Sequence, residues 1–132
     1  MKLLLIGNSD IEHDIFKLAL TRLNLGVEFF GVKSCKAALA NLLEKLLPTP
    51  DYIILDTDTE ENSDSCLRML KGSPAVGWSK IILYSSSKET AAIHAMMQQG
   101  AESHIFKSYS FTAFCQDLSN LLAEPNSHSE TH

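Results

Sequence analysis

Short apolar runs alternate along the chain with longer stretches in which apolar positions recur every three or four residues. Residues 3–6, Leu-Leu-Leu-Ile, form a continuous apolar run of the kind expected for a strand covered on both faces. Ser9 and Glu12 then form a capping box for a helix with Ile11, Ile15, Phe16, Leu18, Ala19 and Leu23 at helical spacing, and Gly26 is placed to end it. Residues 27–32 read as a second strand, weakened by Gly31. Ser34 caps a helix through Ala37, Ala38, Leu42 and Leu46 that Pro48 and Pro50 terminate.

Residues 52–55 are the third strand, and the polar stretch 57–63 separates it from a short helix over about 64–71. Gly72-Ser73-Pro74 breaks that helix before Trp78. Residues 80–84 are the fourth strand. Ser85-Ser86-Ser87 supply turn and cap residues for a helix over 88–99 that Gly100 stops, and residues 104–106 are the fifth strand. Ser110 caps a last helix with an apolar stripe of Phe111, Phe114, Cys115, Leu118, Leu121 and Leu122. Five strand–helix alternations call for an α/β domain, a doubly wound parallel sheet with helices on both faces. One domain over 1–123, followed by a polar tail over 124–132, is the expected organisation.

Composition narrows the partners. With 16 acidic and 11 basic side chains the net charge is -5, which disfavours a phosphate backbone, so no nucleic acid is expected to bind the domain by itself. The apolar runs are strand-sized, so no membrane span or signal-peptide core is expected and the cytosol is the expected location. Cys35, Cys66 and Cys115 are odd in number and lie in apolar-periodic segments, a pattern that reads as buried free thiols rather than a disulfide or a thiolate metal site.

The chemistry gathers at one edge. Asp56 ends the third strand and Lys107 follows the fifth, so in a parallel sheet both emerge at the carboxyl edge, where open α/β domains bind ligands. Ser85 ends the fourth strand at the same edge. On Leu55-Asp56, Ile81-Ile82-Leu83-Tyr84-Ser85 and Gly100-Ala101 through Phe106-Lys107, the chain resembles the CheY-like receiver domain of two-component response regulators over residues 2–123. The resemblance implies a flavodoxin-like (βα)5 sheet with strand order 2-1-3-4-5. It also implies Asp56 as phosphoacceptor, with Lys107 paired to it, Ser85 contacting the bound phosphoryl group and His104 as the aromatic switch position. Those residue types suit phosphoryl transfer: an ionised carboxylate is a nucleophile, and a hydroxyl and an ammonium neutralise developing charge.

Several positions depart from the family pattern. The acidic pair that holds a divalent cation after the first strand is replaced by Gly7 and Asn8, and a hard cation such as Mg²⁺ wants carboxylates. Any Mg²⁺ is therefore expected to be bound weakly, through Asp56, Asn8 and Asp58. Asp10, Glu60 and Glu61 could supply a carboxylate instead, but Asp10 fits the first helical turn and the loop acids fit solvent. Ser108 stands where the family has a cis-proline, so a trans bond is expected, a non-proline cis bond costing about 2.5–4 kcal/mol.

Trp78 and Tyr84 read as packing residues, and His128 and His132 as part of a solvated tail. Two functions from different classes follow from the resemblance. One is a phosphorylatable receiver served by a histidine kinase or phosphotransfer protein and coupled to an output domain or a weak homodimer through its fourth helix, fifth strand and fifth helix. The other is a phosphorylation-independent docking module. Neither is an enzyme. A flavodoxin-like nucleotide binder is disfavoured because Gly7-Asn8-Ser9-Asp10 holds a single glycine.

Overall fold

The computed structural model describes residues 1–87, 90–108 and 110–123. Five strands and five helices alternate as β1 (Lys2–Ile6), α1 (Asp10–Leu23), β2 (Glu28–Val32), α2 (Cys35–Leu43) and β3 (Tyr52–Asp56). These are followed by α3 (Ser63–Gly72), β4 (Lys80–Ser85), α4 (Ala91–Gln98), β5 (Ser103–Phe106) and α5 (Phe111–Ala123). The strands form one sheet in the order β2-β1-β3-β4-β5, every pair parallel. This is the flavodoxin-like topology that the receiver-domain resemblance implies, with β1 and β3 side by side and the chain reversing direction of winding between them.

Side-chain alternation in the strands builds two cores. Leu3, Leu5, Tyr52, Ile54, Ile82, Tyr84 and Ile105 face α1 and α5, with Phe16, Phe114 and Leu118. Leu4, Ile6, Ile53, Leu55, Ile81 and Leu83 face α2, α3 and α4, with Leu42, Leu67 and Met96. The near-continuous burial of β1 and β3 is what a central parallel strand requires.

Several boundaries differ from the sequence reading. Asn24, not Gly26, ends α1, taking a left-handed conformation (φ 50°) and donating to the Leu20 carbonyl. α2 stops at Leu43 because Lys45 turns left-handed (φ 59°) before the prolines act. Thr90 caps α4 through its side chain, which shortens the helix relative to a start in the serine run. Gly31 does not interrupt β2; the His13 ring lies where a Cβ would stand. Residues 88 and 89, and the whole 124–132 tail with His128 and His132, fall outside the described residues.

The cysteine reading needs correction. Cys115 is free and buried, as expected, but Cys35 and Cys66 are joined in a disulfide with Cα atoms 5.9 Å apart. They sit 31 positions apart in sequence, and only the packing of α2 beside α3 brings them together.

Candidate functional site at the carboxyl edge of the sheet

β3 delivers Asp56 to the carboxyl edge with its side chain fully buried, and β5 runs directly into Lys107. Lys107 Nζ donates to Asp56 Oδ1 at 2.8 Å, so the two residues singled out 51 positions apart do meet. The Lys107–Ser108 peptide is trans, as expected, since the described residues contain no cis bond. A trans bond does not keep Lys107 from reaching Asp56.

Two further carboxylates crowd the same ammonium. Asp58 Oδ2 lies 3.1 Å from Lys107 Nζ and also accepts from the Ser86 backbone N–H at 2.9 Å. Glu12 Oε2 lies 3.5 Å away, and Glu12 Oε1 accepts the Tyr84 hydroxyl at 2.6 Å. Lys107 also sits 4.9 Å above the Tyr84 ring, a cation–π contact that adds to its confinement. Three carboxylates thus share one partly buried cation.

The electrostatics follow from burial. Loss of hydration pushes the Asp56 carboxyl above its ordinary range; Lys107 and the Asp58 N–H oppose this without overcoming it, and Glu12 adds repulsion. Burial works against the Lys107 charge as well, yet the bonds to Asp56 and Asp58 outweigh it and hold the ammonium above its usual value. For Asp58 burial is again an opposing influence, but the Ser86 and Lys107 contacts prevail and its carboxyl is lowered. Tyr84 is driven far upward by burial and by Glu12, so it stays a hydrogen-bond donor.

Asp56 Oδ1 also accepts the Asp58 N–H at 3.1 Å, whereas Oδ2 is buried with no hydrogen-bond partner among the described residues. A buried, unpartnered carboxylate oxygen is costly, and such an atom calls for a functional reason. Oδ2 faces Gly7: a Cβ built there would stand 2.8 Å from Asp56 Cβ, 3.2 Å from Oδ2 and 3.1 Å from Thr59 Oγ1. Gly7 is therefore more than a missing acid. Asp56 of the third strand and Thr59 of its loop occupy the space that a side chain would need.

The neighbouring half of the edge is built on hydroxyl, carbonyl and imidazole groups. The Ser85 hydroxyl donates to the Ser87 carbonyl at 2.7 Å, so its oxygen accepts from His104 Nε2 at 2.9 Å and the ring carries its proton there. Ser85 and His104 share the sheet face under α4, and Ser85 is buried. Both predicted switch residues are thus joined to each other rather than to Asp56.

The remaining candidates scatter. Asn8 is exposed, its backbone N–H donating to Thr59 Oγ1 at 2.9 Å. Asp10 pairs with Lys33 at 3.0 Å on the surface. Glu60 accepts the Cys35 N–H at 2.7 Å and so caps α2, and Glu61 is exposed. Trp78 is 88% exposed, a surface residue beside β4, whereas Tyr84 is core.

Glu12 and Thr59 were missed by sequence reasoning. Ser9 does accept the Glu12 N–H at 3.3 Å, but only half of the capping box forms, because the Glu12 carboxylate turns to Tyr84 and Lys107 instead. The arrangement does not fit a divalent cation. Asp58 and Glu12 are committed to Lys107, Gly7 has no donor, and the described residues hold no group of three or more ligands placed to grip a metal.

Solved structures similar to this chain include response regulators. One from red light signaling in R. palustris superposes with a TM-score of 0.82 at 14% identity, covering 96% of this chain and 95% of that one. The phosphorylated cyanobacterial phytochrome response regulator RcpA gives 0.81 at 19% identity over 95% and 96%. The Mn²⁺-bound form of response regulator Rcp1 gives 0.80 at 17% identity over 96% of each chain. No protein-family model and no curated protein matches the sequence. The chain has the CheY-like fold of response regulator receiver domains, and no described helix is long and apolar enough to cross a membrane.

Proposed function

We propose that the chain is a signal receiver in which Asp56 accepts a phosphoryl group and Lys107, rather than a bound divalent cation, supplies the neutralising charge. The 2.8 Å bond between Lys107 Nζ and Asp56 Oδ1 carries this reading, because it leaves Oδ2 as the free nucleophilic oxygen beside a fixed cation. Oδ2 forms the new O–P bond as the P–N bond of a phosphohistidine on a partner kinase or phosphotransfer protein breaks, and the departing imidazole takes up a proton. Asp56 is fully buried, so the loop over residues 57–62 must open for the donor to enter.

A phosphoryl group on Asp56 offers the Ser85 hydroxyl a charged acceptor in place of the Ser87 carbonyl, and charge-assisted hydrogen bonds are the stronger kind. Ser85 turning toward it would release His104 and carry the event to β5, α4 and α5, the surface for an output domain or a second copy. Residues 1–123 form the signalling unit in this reading, with 124–132 as a tail, acting in the cytosol.

Incubation with a small phosphoramidate donor followed by intact-mass measurement tests the assignment. A single phosphoryl adduct is expected, retained in a chelator and absent from Asp56→Asn. A folded chain that takes up no phosphoryl group would overturn the acceptor role; an adduct that needs Mg²⁺ would overturn the part given to Lys107.

A further inference from the structure

Cys35 is the first residue of α2 and Cys66 lies near the start of α3, so the disulfide between them joins α2 to the helix that follows the loop of residues 57–62. Cys35 also donates its backbone N–H to Glu60 Oε1 at 2.7 Å, and Ser63 Oγ donates to the Glu60 carbonyl at 2.7 Å. Farther up the same loop, Thr59 accepts from Asn8 and Asp58 accepts from Ser86. The loop beside Asp56 is thus held by α2 through Cys35, and Cys35 is held to α3 by its sulfur.

The surroundings of the sulfurs suit either redox state. Both lie in the apolar core with Ala38, Leu42, Leu67 and Leu70, where a free cysteine behaves as a small hydrophobe. Reduction strands no polar group, so the core should persist while the tether on the loop is lost. We propose that Cys35 and Cys66 are a thiol–disulfide switch that sets the order of the 57–62 loop.

The step is an exchange with a dithiol reductant. Its thiolate attacks Cys35 Sγ, in the less buried of the two residues (5% exposed against 0% for Cys66), and the S–S bond breaks with Cys66 leaving as a thiolate that is then protonated. The second thiol of the reductant resolves the mixed disulfide, so two electrons and two protons pass to the pair and the reductant becomes a disulfide. Burial makes attack depend on local opening at the start of α2. Easier access to Asp56 in the reduced chain follows only on the function proposed for Asp56; the order of the loop does not depend on it.

The test begins with the full chain without substitutions. After air equilibration and unfolding in guanidinium, maleimide is expected to label one thiol, Cys115, and after dithiothreitol all three. Hydrogen exchange of the folded chain should then show residues 57–66 exchanging about tenfold or more faster after reduction, with β1 and β3 unchanged. Three labelled thiols before reduction would overturn the proposal, as would unchanged exchange at 57–66. Faster exchange across the whole sheet would also overturn it, since the bond would then be a global staple. A Cys35→Ala/Cys66→Ala chain should reproduce the reduced pattern, and its failure to do so would contradict the tether.

Discussion

The two halves of the carboxyl edge are built on opposite plans. On the side of β1, β3 and α1, Asp56, Asp58 and Glu12 crowd around Lys107, with one carboxylate oxygen left unpartnered. On the side of β4 and β5, Ser85, Ser87 and His104 form a hydrogen-bonded chain in which the serine hydroxyl both donates and accepts. One half is a cluster of carboxylates on a single ammonium and the other is a chain of hydrogen bonds. On the function proposed for Asp56, Lys107 is the group that answers the incoming charge, and Ser85 and His104 have hydrogen bonds they can exchange.

The comparison predicts unequal sensitivity to substitution. Lys107→Met removes the cation that three carboxylates share and should cost about 3–5 kcal/mol in urea unfolding, the usual penalty for unpairing a buried charge. Gly7→Asp, which would restore half of the missing acidic pair, should instead destabilise by about 2–3 kcal/mol, because its Cβ meets Asp56 Cβ at 2.8 Å and adds a fourth carboxylate. Isothermal titration should show no gain in Mg²⁺ affinity for that variant. If Mg²⁺ binds tightly to it, the charged half is more adaptable than its packing implies.

Asp56→Asn should stabilise the chain at pH 7 by about 1 kcal/mol. Its carboxyl is raised in the folded state, so the native chain holds the proton more tightly than the unfolded chain from the ordinary value of 3.8 up to the folded value. Stability contributed by this group falls as pH rises through that window, and the penalty is fully present above it. Urea midpoints for the two chains should therefore lie closer at pH 4 than at pH 7. Asp58, whose carboxyl is lowered, loses its own contribution as pH falls, but it is common to both chains and cancels in the difference. In the half around β4 and β5, Ser85→Ala should cost only about 1 kcal/mol, one modest hydrogen-bond exchange, read by the same unfolding measurement.

Much of this edge was legible in the sequence, and unevenly so. That Asp56, Ser85 and Lys107 share one edge follows from a parallel sheet, because the carboxyl ends of its strands lie together, whereas the strand order and the place of His104 came from the family resemblance. Glu12 was hidden by its own competence as a capping residue: the local rule was satisfied by Ser9 alone, and a partner 95 positions away claimed the carboxylate. The Cys35–Cys66 bond was hidden because pairing is a distance between helices, and spacing along the chain carries no trace of it. Gly7 looked like an absent ligand, whereas its meaning lies in the close approach of Asp56 and Thr59.

The most direct measurement is titration with beryllofluoride, a stand-in for the phosphoryl group, followed by amide NMR in chelator and in Mg²⁺. Saturable shifts at Asp56, Ser85, His104 and Lys107 are expected in both solutions and should vanish in Asp56→Asn. Shifts that require Mg²⁺, or a folded chain that does not respond at all, would contradict a phosphoryl site neutralised by Lys107.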